Sequence, residues 1–412
     1  MSEPVQLHST AQHSTAQHST AQHSLNYSQK EEKNPERHTI LIVTDCDNSK
    51  YGNYGNILQH CALSTILHLN GFDTSFLCRI IKTSFTARIK KIIKTVLSFL
   101  GVKKFRLHRQ SIIRMHPDVK LCEVFREKYA GQRIYITPHE ALTADESKWE
   151  KYSYVITGSD QVWHKWGNNK AEMYGLYYLQ FIGRSKRIAY APSFGFSDMP
   201  GEKDLPFIKR GLQGFERLSC REQDGCDLIR KITGQNAQCV LDPTLLLNSE
   251  QWKEFEARPK YNLPEKYVLC YFLGSRTQEY NEAIREAAKD LPVIDIDHRN
   301  AELHKFTGPA EFLYLFRHAD FICTDSFHGA AFSINFGKNF LVFRRLNNYG
   351  KSAGMWGRLA SLLSNTGLMN HVYESGMQIR PDVPNYEYVD QKLEAMREDS
   401  MKYLRECLKI QE

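Results

Sequence analysis

The chain has 412 residues, 42% of them hydrophobic and 12% aromatic, which is enough for two domains of ordinary size, each with its own core. A formal net charge of +7 is too mild to imply nucleic-acid binding unless it is clustered, and ten cysteines without a CxxC pair argue against a zinc ribbon or a secreted disulfide framework. No uncharged apolar run is long enough to span a bilayer and the N-terminus lacks a signal-peptide core, so a cytoplasmic location is expected.

Residues 8–24 read HSTAQHSTAQHSTAQHS, a five-residue repeat with almost no apolar surface to offset the entropy of ordering, so the leader 1–37 is read as disordered. Its regularly spaced His8, His13, His18 and His23 suit either a metal or a plain unstructured tail. A buried parallel strand is predicted over 39–44 (TILIVT), then a loop with Gly52, Asn53, Gly55 and Asn56, then a helix over 57–69. With a strand over 74–77 these make a first βαβ unit. From 79 to 109 there are ten Lys and Arg and no Asp or Glu, and Ile89, Ile92, Ile93, Val96, Leu97 and Leu100 fall on one helical face. That basic amphipathic insertion either packs on the first domain or docks on an anionic membrane surface.

Further strands are predicted over 154–157, 187–190 and 217–220, and after Asp242-Pro243 over 267–273, 293–296, 320–323 and 340–343, with helical patterns between them. Alternating strands and helices in both halves give an α/β fold of two doubly wound, Rossmann-like lobes facing a cleft. The N-terminal lobe is placed over 38–245, with the basic insertion 79–109, and the C-terminal lobe over 246–412, with a closing helix.

Right-handed crossovers put the strand ends on one side of each sheet, where α/β proteins hold ligands. Three strand ends carry chemistry. After 320–323 comes Thr324-Asp-Ser-Phe-His-Gly329, leading into a helix expected from about Gly329 to Asn335. A helix N-terminus offers free N–H groups and a partial positive charge to an anion. There Asp325 and Ser326 are candidate caps, and His328 is either a proton-transfer or anion-contact residue or a surface histidine. After 154–157 comes Gly158-Ser-Asp-Gln-Val-Trp163, where Asp160 is an acid, a base or a cap, and Ser159 and Gln161 are polar neighbours. After 217–220, Arg221 either grips a carboxylate or phosphate or pairs with Glu222. The first loop, with Asn53, Gly55 and Asn56, is a further candidate, Arg344 and Arg345 follow the last strand, and Trp163 and Trp166 either stack on a sugar or fill the core. Walker A, GxGxxG, HExxH and GxSxG motifs are absent, which removes support for nucleotide hydrolysis, dinucleotide redox chemistry and serine hydrolysis.

Six motifs then occur in order: Tyr54-Gly-Asn-Ile-Leu-Gln59, Gly158-Ser-Asp-Gln-Val-Trp163, Ala189-Tyr-Ala-Pro-Ser-Phe-Gly195, Ser219-Cys-Arg-Glu222, Leu241-Asp-Pro-Thr-Leu-Leu246 and Thr324-Asp-Ser-Phe-His-Gly329. Together they resemble the polysaccharide pyruvyl transferase family over roughly 38–370. The resemblance implies a glycosyltransferase-B-like fold and transfer of pyruvyl from phosphoenolpyruvate (PEP) to a hexose of a capsular, cell-wall or exopolysaccharide precursor, giving a cyclic ketal. It implies no metal and no cofactor beyond the donor. It also implies donor contacts at Arg221 and His328. The chain departs from many members in carrying Ser326 where they place Arg; Arg344, Arg345 and Lys351 are the candidates to replace that charge.

On this reading His328 and Asp160 are the acid–base or orienting candidates, and Arg221, His328, Ser326 and the backbone at Gly329 hold the donor. Asn53, Gly55, Asn56, Ser159, Gln161, Trp163, Arg344 and Arg345 line the cleft or the acceptor side. A lipid-linked acceptor would bring the protein to the inner face of the membrane through 79–109. Two other readings stay open: a nucleotide-sugar glycosyltransferase of the same fold, and a glycan-binding protein without turnover.

Overall fold

The structure, a computed structural model, describes residues 38–45, 54–80, 118–167, 169–296, 303, 306–347 and 356–410. The leader 1–37, Asn53, Lys351 and nearly all of the basic insertion lie outside the described residues.

Strand β1 (Thr39–Val43) is apolar along its length because both of its faces are covered. Ile40 and Ile42 point into one apolar cluster, Leu41 and Val43 into another. It lies at the middle of a five-stranded sheet with β2 (Asp73–Arg79), β3 (Gln132–Ile136), β4 (Tyr152–Thr157) and β5 (Arg187–Ala189), in the order β3-β2-β1-β4-β5. All four pairings are parallel. β6 (Leu218–Cys220) and β7 (Ala237–Cys239) form a separate parallel pair beside β5. Ser219 makes the join: its hydroxyl donates to the Ala189 carbonyl at 2.7 Å and lies 3.1 Å from the Ala191 amide, which donates to it.

The second lobe holds β8 (Val268–Tyr271), β9 (Val293–Asp295), β10 (Phe321–Thr324) and β11 (Phe340–Val342), all parallel, in the order β11-β10-β8-β9. Strand order reverses beside β1 in one lobe and beside β8 in the other. Loops leaving the strands at such points open a crevice.

The lobes are packed against each other through a shared core. One cluster runs from Ile40 and Ile42 through Tyr54 to Leu269, Phe312 and Phe332. Tyr54, the first residue of the helix Tyr54–Leu69, has its ring centroid 5.2 Å from that of Phe312 and donates its hydroxyl to the Thr307 carbonyl at 2.9 Å. The two doubly wound lobes expected from the sequence are therefore present, in a glycosyltransferase-B-like arrangement.

Three details depart from the sequence reading. β3 and β7 were not foreseen: β3 lies at the sheet edge with Tyr135 exposed, and β7 is only three residues long. The helix after β10 begins at Phe327, not at Gly329. The last helix, Tyr386–Leu408, does not belong to the second lobe alone. Arg397 near its middle donates to Leu245 O at 2.7 Å and to Asn335 Oδ1 at 3.0 Å, and Tyr403 near its end donates to Ala189 O at 2.9 Å in the first lobe. No described helix is long and apolar enough to cross a membrane.

Candidate functional site

The site is built at the seam, from the ends of β4, β6 and β10. Beyond β4, Gly158 takes φ 120°, and a Cβ there would meet the Tyr190 carbonyl at 2.0 Å, so only glycine lets the chain turn. Two residues on, Asp160 holds φ 70°, a left-handed conformation that non-glycine residues seldom adopt and that is found disproportionately at functional sites. Its carbonyl is fixed by the amides of Ser193 at 2.8 Å and Val162 at 2.9 Å. This aims the carboxylate at the seam, where it meets Asn56 Nδ2 at 3.2 Å, Arg221 Nη2 at 3.2 Å and Arg358 Nη1 at 3.7 Å.

Arg221 leaves the end of β6 and is 5% exposed. It does not pair with Glu222, the alternative its neighbour suggested. It forms a buried ion pair with Asp242, shares Asp160, and lies 4.7 Å over the Phe327 ring. Asp242 is anchored in turn: Oδ1 accepts from the Thr244 amide at 3.0 Å and the Thr244 hydroxyl at 2.7 Å, and Oδ2 lies 3.1 Å from the Ser159 hydroxyl. Glu222 turns away to Ser193 Oγ at 2.9 Å and the Phe194 amide at 3.2 Å.

His328 sits in the first turn of the helix Phe327–Asn335 and is buried, not on the surface. Its Nε2 stands 3.8 Å from Asp242 Oδ2 and has no hydrogen-bond partner. Across the seam it touches Gly55, whose added Cβ would fall 2.1 Å from His328 Cγ. The first lobe's opening helix and the second lobe's switch-point helix thus meet at this one ring.

Burial pushes the Asp160 carboxyl up, but the Arg221 guanidinium, then His328, Arg358 and Asn56, outweigh it and hold it at about 2. Asp242 is likewise buried, yet Arg221 and His328 hold it well below the usual carboxylate range. Arg221 is held above its ordinary value by Asp242 and Asp160, against the opposing effect of burial. Burial followed by repulsion from Arg221 lowers Arg358 to about 10. Burial raises Glu222. The site therefore gathers two guanidiniums, an imidazole and a helix N-terminus around two ionised carboxylates. Beside it opens a cavity of about 100 Å³, lined by Arg221, Phe327 and Arg358 among others, room for several waters or one small ligand.

The structure brings together Asp160, Arg221, His328, Gly55 and Asn56. Ser159 is buried and serves Asp242, and Gln161 packs beside Gly195. Gly329 packs against Thr324, and the amides of 327–329, in the helix's first turn, lack intrahelical partners.

Other candidates are corrected. Trp163 is fully buried, stacked on Tyr178, with its indole N–H on the Tyr177 carbonyl, so it is core and not a cleft platform. Ser326 occupies the N-cap position without a side-chain cap bond. Asp325 caps nothing either; its carboxylate takes the amides of Leu273 at 2.7 Å and Gly274 at 2.8 Å, tying the ends of β10 and β8 together. Arg345 is engaged with Asp325, and Arg344 is exposed on the Trp356 ring, so neither enters the anion centre. Two members of the centre were missed. Asp242 was quoted in a motif without a role, and Arg358 gave no signal at all.

A seam between two Rossmann-like lobes that gathers cations at strand ends and a helix N-terminus has the chemistry to hold a small anionic ligand. The family model for polysaccharide pyruvyl transferase matches residues 53–347, most of the chain, and the protein belongs to that family. No curated protein matches at the level of sequence. Among solved structures the chain is similar to the UDP-GlcNAc 2-epimerase of Methanocaldococcus jannaschii, at 11% identity over 87% of this chain and 92% of that one, with a TM-score of 0.46. It is similar to the enzyme of that name from Neisseria meningitidis, solved bound to UDP-GlcNAc, at 12% identity over 90% and 94%, with a TM-score of 0.41. The glycosyltransferase SnogD of Streptomyces nogalater gives 12% identity over 90% and 100%, with a TM-score of 0.39.

Proposed function

We propose that this transferase moves a pyruvyl group from PEP onto a hexose of a polysaccharide or lipid-linked glycan precursor, forming a cyclic ketal and releasing phosphate. The observation that carries it is the buried Arg221 beside His328 at a helix N-terminus, in a chain of this family. PEP bears a carboxylate and a phosphate, which call for guanidinium, imidazolium and backbone N–H groups together.

The reaction adds one sugar hydroxyl to C2 of PEP while C3 gains a proton and becomes a methyl group. Phosphate then leaves C2, and a second hydroxyl closes the ring with loss of its proton. Asp160, held at about 2 by the cations around it, stays ionised and is only weakly basic, so it acts as an orienting group and not as an acid. His328, with Nε2 unpartnered, delivers the proton to C3. Arg221 holds negative charge on the donor and on the leaving phosphate.

Purified protein is expected to release phosphate from PEP only when an acceptor glycan is present, and His328→Asn and Arg221→Lys are expected to lose most of that activity. Consumption of a nucleotide sugar with PEP untouched would establish the glycosyltransferase reading instead. Glycan affinity without turnover of either donor would leave a binding protein.

A further inference from the structure

Arg358 enters the centre from a helix and not from the loop after a strand. It comes from the first turn of the helix Trp356–Thr366, beyond the segment 53–347 that the family model matches. It is 8% exposed, yet its only ion-pair contact among the described residues is a 3.7 Å approach to Asp160 Oδ1. That same oxygen already receives Arg221 at 3.2 Å. Arg358 Nε and Arg221 Nε both lack hydrogen-bond partners.

A guanidinium has five N–H donors in a rigid fork, and burying one with so few of them used is costly. Arg221 offsets that cost with Asp242; among the described residues Arg358 has no such partner. Both guanidiniums line the cavity beside Phe327, with Ser361 and Asn365 on the same wall as Arg358. The turn 324–329 carries His328 and no Arg or Lys of its own.

We infer that Arg358 is a donor-binding residue: with Arg221 it grips a small ligand carrying both a carboxylate and a phosphate, exchanging its loose contact with Asp160 for the ligand's oxygens. This rests on the pyruvyl-transfer reading for the ligand's identity, but not for its charge. Asp242 and Asp399 line the cavity too, but Asp242 is already neutralised by Arg221, and Arg358 brings to the same cavity a guanidinium whose donors are largely unused.

Calorimetric titration of the full chain with PEP, and separately with inorganic phosphate, tests it in wild type, Arg358→Gln and Arg358→Lys. Wild type is expected to bind PEP, and Arg358→Gln to bind it about 10- to 100-fold more weakly. Arg358→Lys keeps the charge without the fork and is expected to fall between them, so it stands in if the glutamine variant does not fold. In turnover, the KM for PEP rises while the KM for the acceptor glycan stays at the wild-type value, a split that a general loss of structure does not produce. If wild type binds PEP and both variants bind it equally well, this inference fails and the proposed function stands. If wild type binds phosphate but not PEP, and the variants lose phosphate, pyruvyl transfer fails and the anion site at Arg358 stands. If wild type binds neither, both fail.

Discussion

Asp242 shows how much one carboxylate organises here. It neutralises Arg221, faces His328, and uses its other oxygen to cap the turn at Thr244. Asp242→Asn keeps the cap and removes the charge, leaving Arg221 buried with only a shared hold on Asp160. Removing one partner of a buried pair costs about 3–5 kcal/mol, and urea denaturation is expected to show a loss of that size. A loss well under about 1 kcal/mol would mean that water or Asp160 compensates fully. Asp160 makes a second case, through pH. Its folded value of about 2 lies below its ordinary 3.8, so its contribution is complete above the ordinary value and is lost as pH falls through about 2. The charges facing it are Arg221, His328 and Arg358, with Asp45 and His164 nearby. Between pH 4 and pH 2 wild type is expected to lose on the order of 2 kcal/mol more than Asp160→Asn in parallel denaturation series. Parallel curves would show that Asp160 is not held by these cations. Asp160, Arg221 and His328 were legible in the sequence because each lies within a few residues of a strand's end, where ligand groups concentrate. Arg358 was not, since one arginine among Trp356, Leu359, Leu362 and Leu363 reads as an ordinary amphipathic helix. Its burial is decided by what packs against that helix.

At the scale of elements, the helix Tyr54–Leu69 links fold to site. It is buried nearly end to end, including the polar Asn56, Gln59, His60, Ser64 and Thr65. Each polar group has a purpose: Gln59 accepts from the Ser159 amide at 3.3 Å and donates to Thr44 Oγ1 at 3.1 Å, while Asn56 holds Asp160. Gly55 lets the helix start directly against His328. Gly55→Ala is expected to push the ring aside, lowering phosphate release about 10- to 100-fold while costing only about 1–3 kcal/mol in thermal or urea melts. Wild-type turnover in Gly55→Ala would show that the position of His328 does not matter to the reaction. The sequence revealed this helix and the long apolar strands because a strand covered on both faces is a continuous apolar run. It hid β3 and β7, where an edge position and a three-residue length leave little pattern. It also misjudged Trp163, because a tryptophan after a strand looks the same whether it faces a ligand or, as here, Tyr178 and Phe194.

Across the whole molecule, the lobes behave as one unit because two features cross the seam. One is the shared apolar core around Tyr54, Phe312 and Tyr271. The other is the last helix, whose Tyr386 hydroxyl reaches Lys338 O, whose Arg397 bridges Leu245 and Asn335, and whose Ser400 and Tyr403 hold Leu241 and Ala189. The site sits between these ties, so its geometry depends on both lobes staying docked. Unfolding is therefore expected to be a single transition: urea curves from hydrogen exchange of β4 and of β10, one strand in each lobe, should coincide. Arg397→Ala strips the Leu245 carbonyl and Asn335 Oδ1 of a charged donor and is expected to lower both curves together, by about 1–3 kcal/mol. If β10 instead exchanges at lower urea than β4 in that variant, the closing helix holds the second lobe only, and the shared core alone keeps the lobes docked around the site.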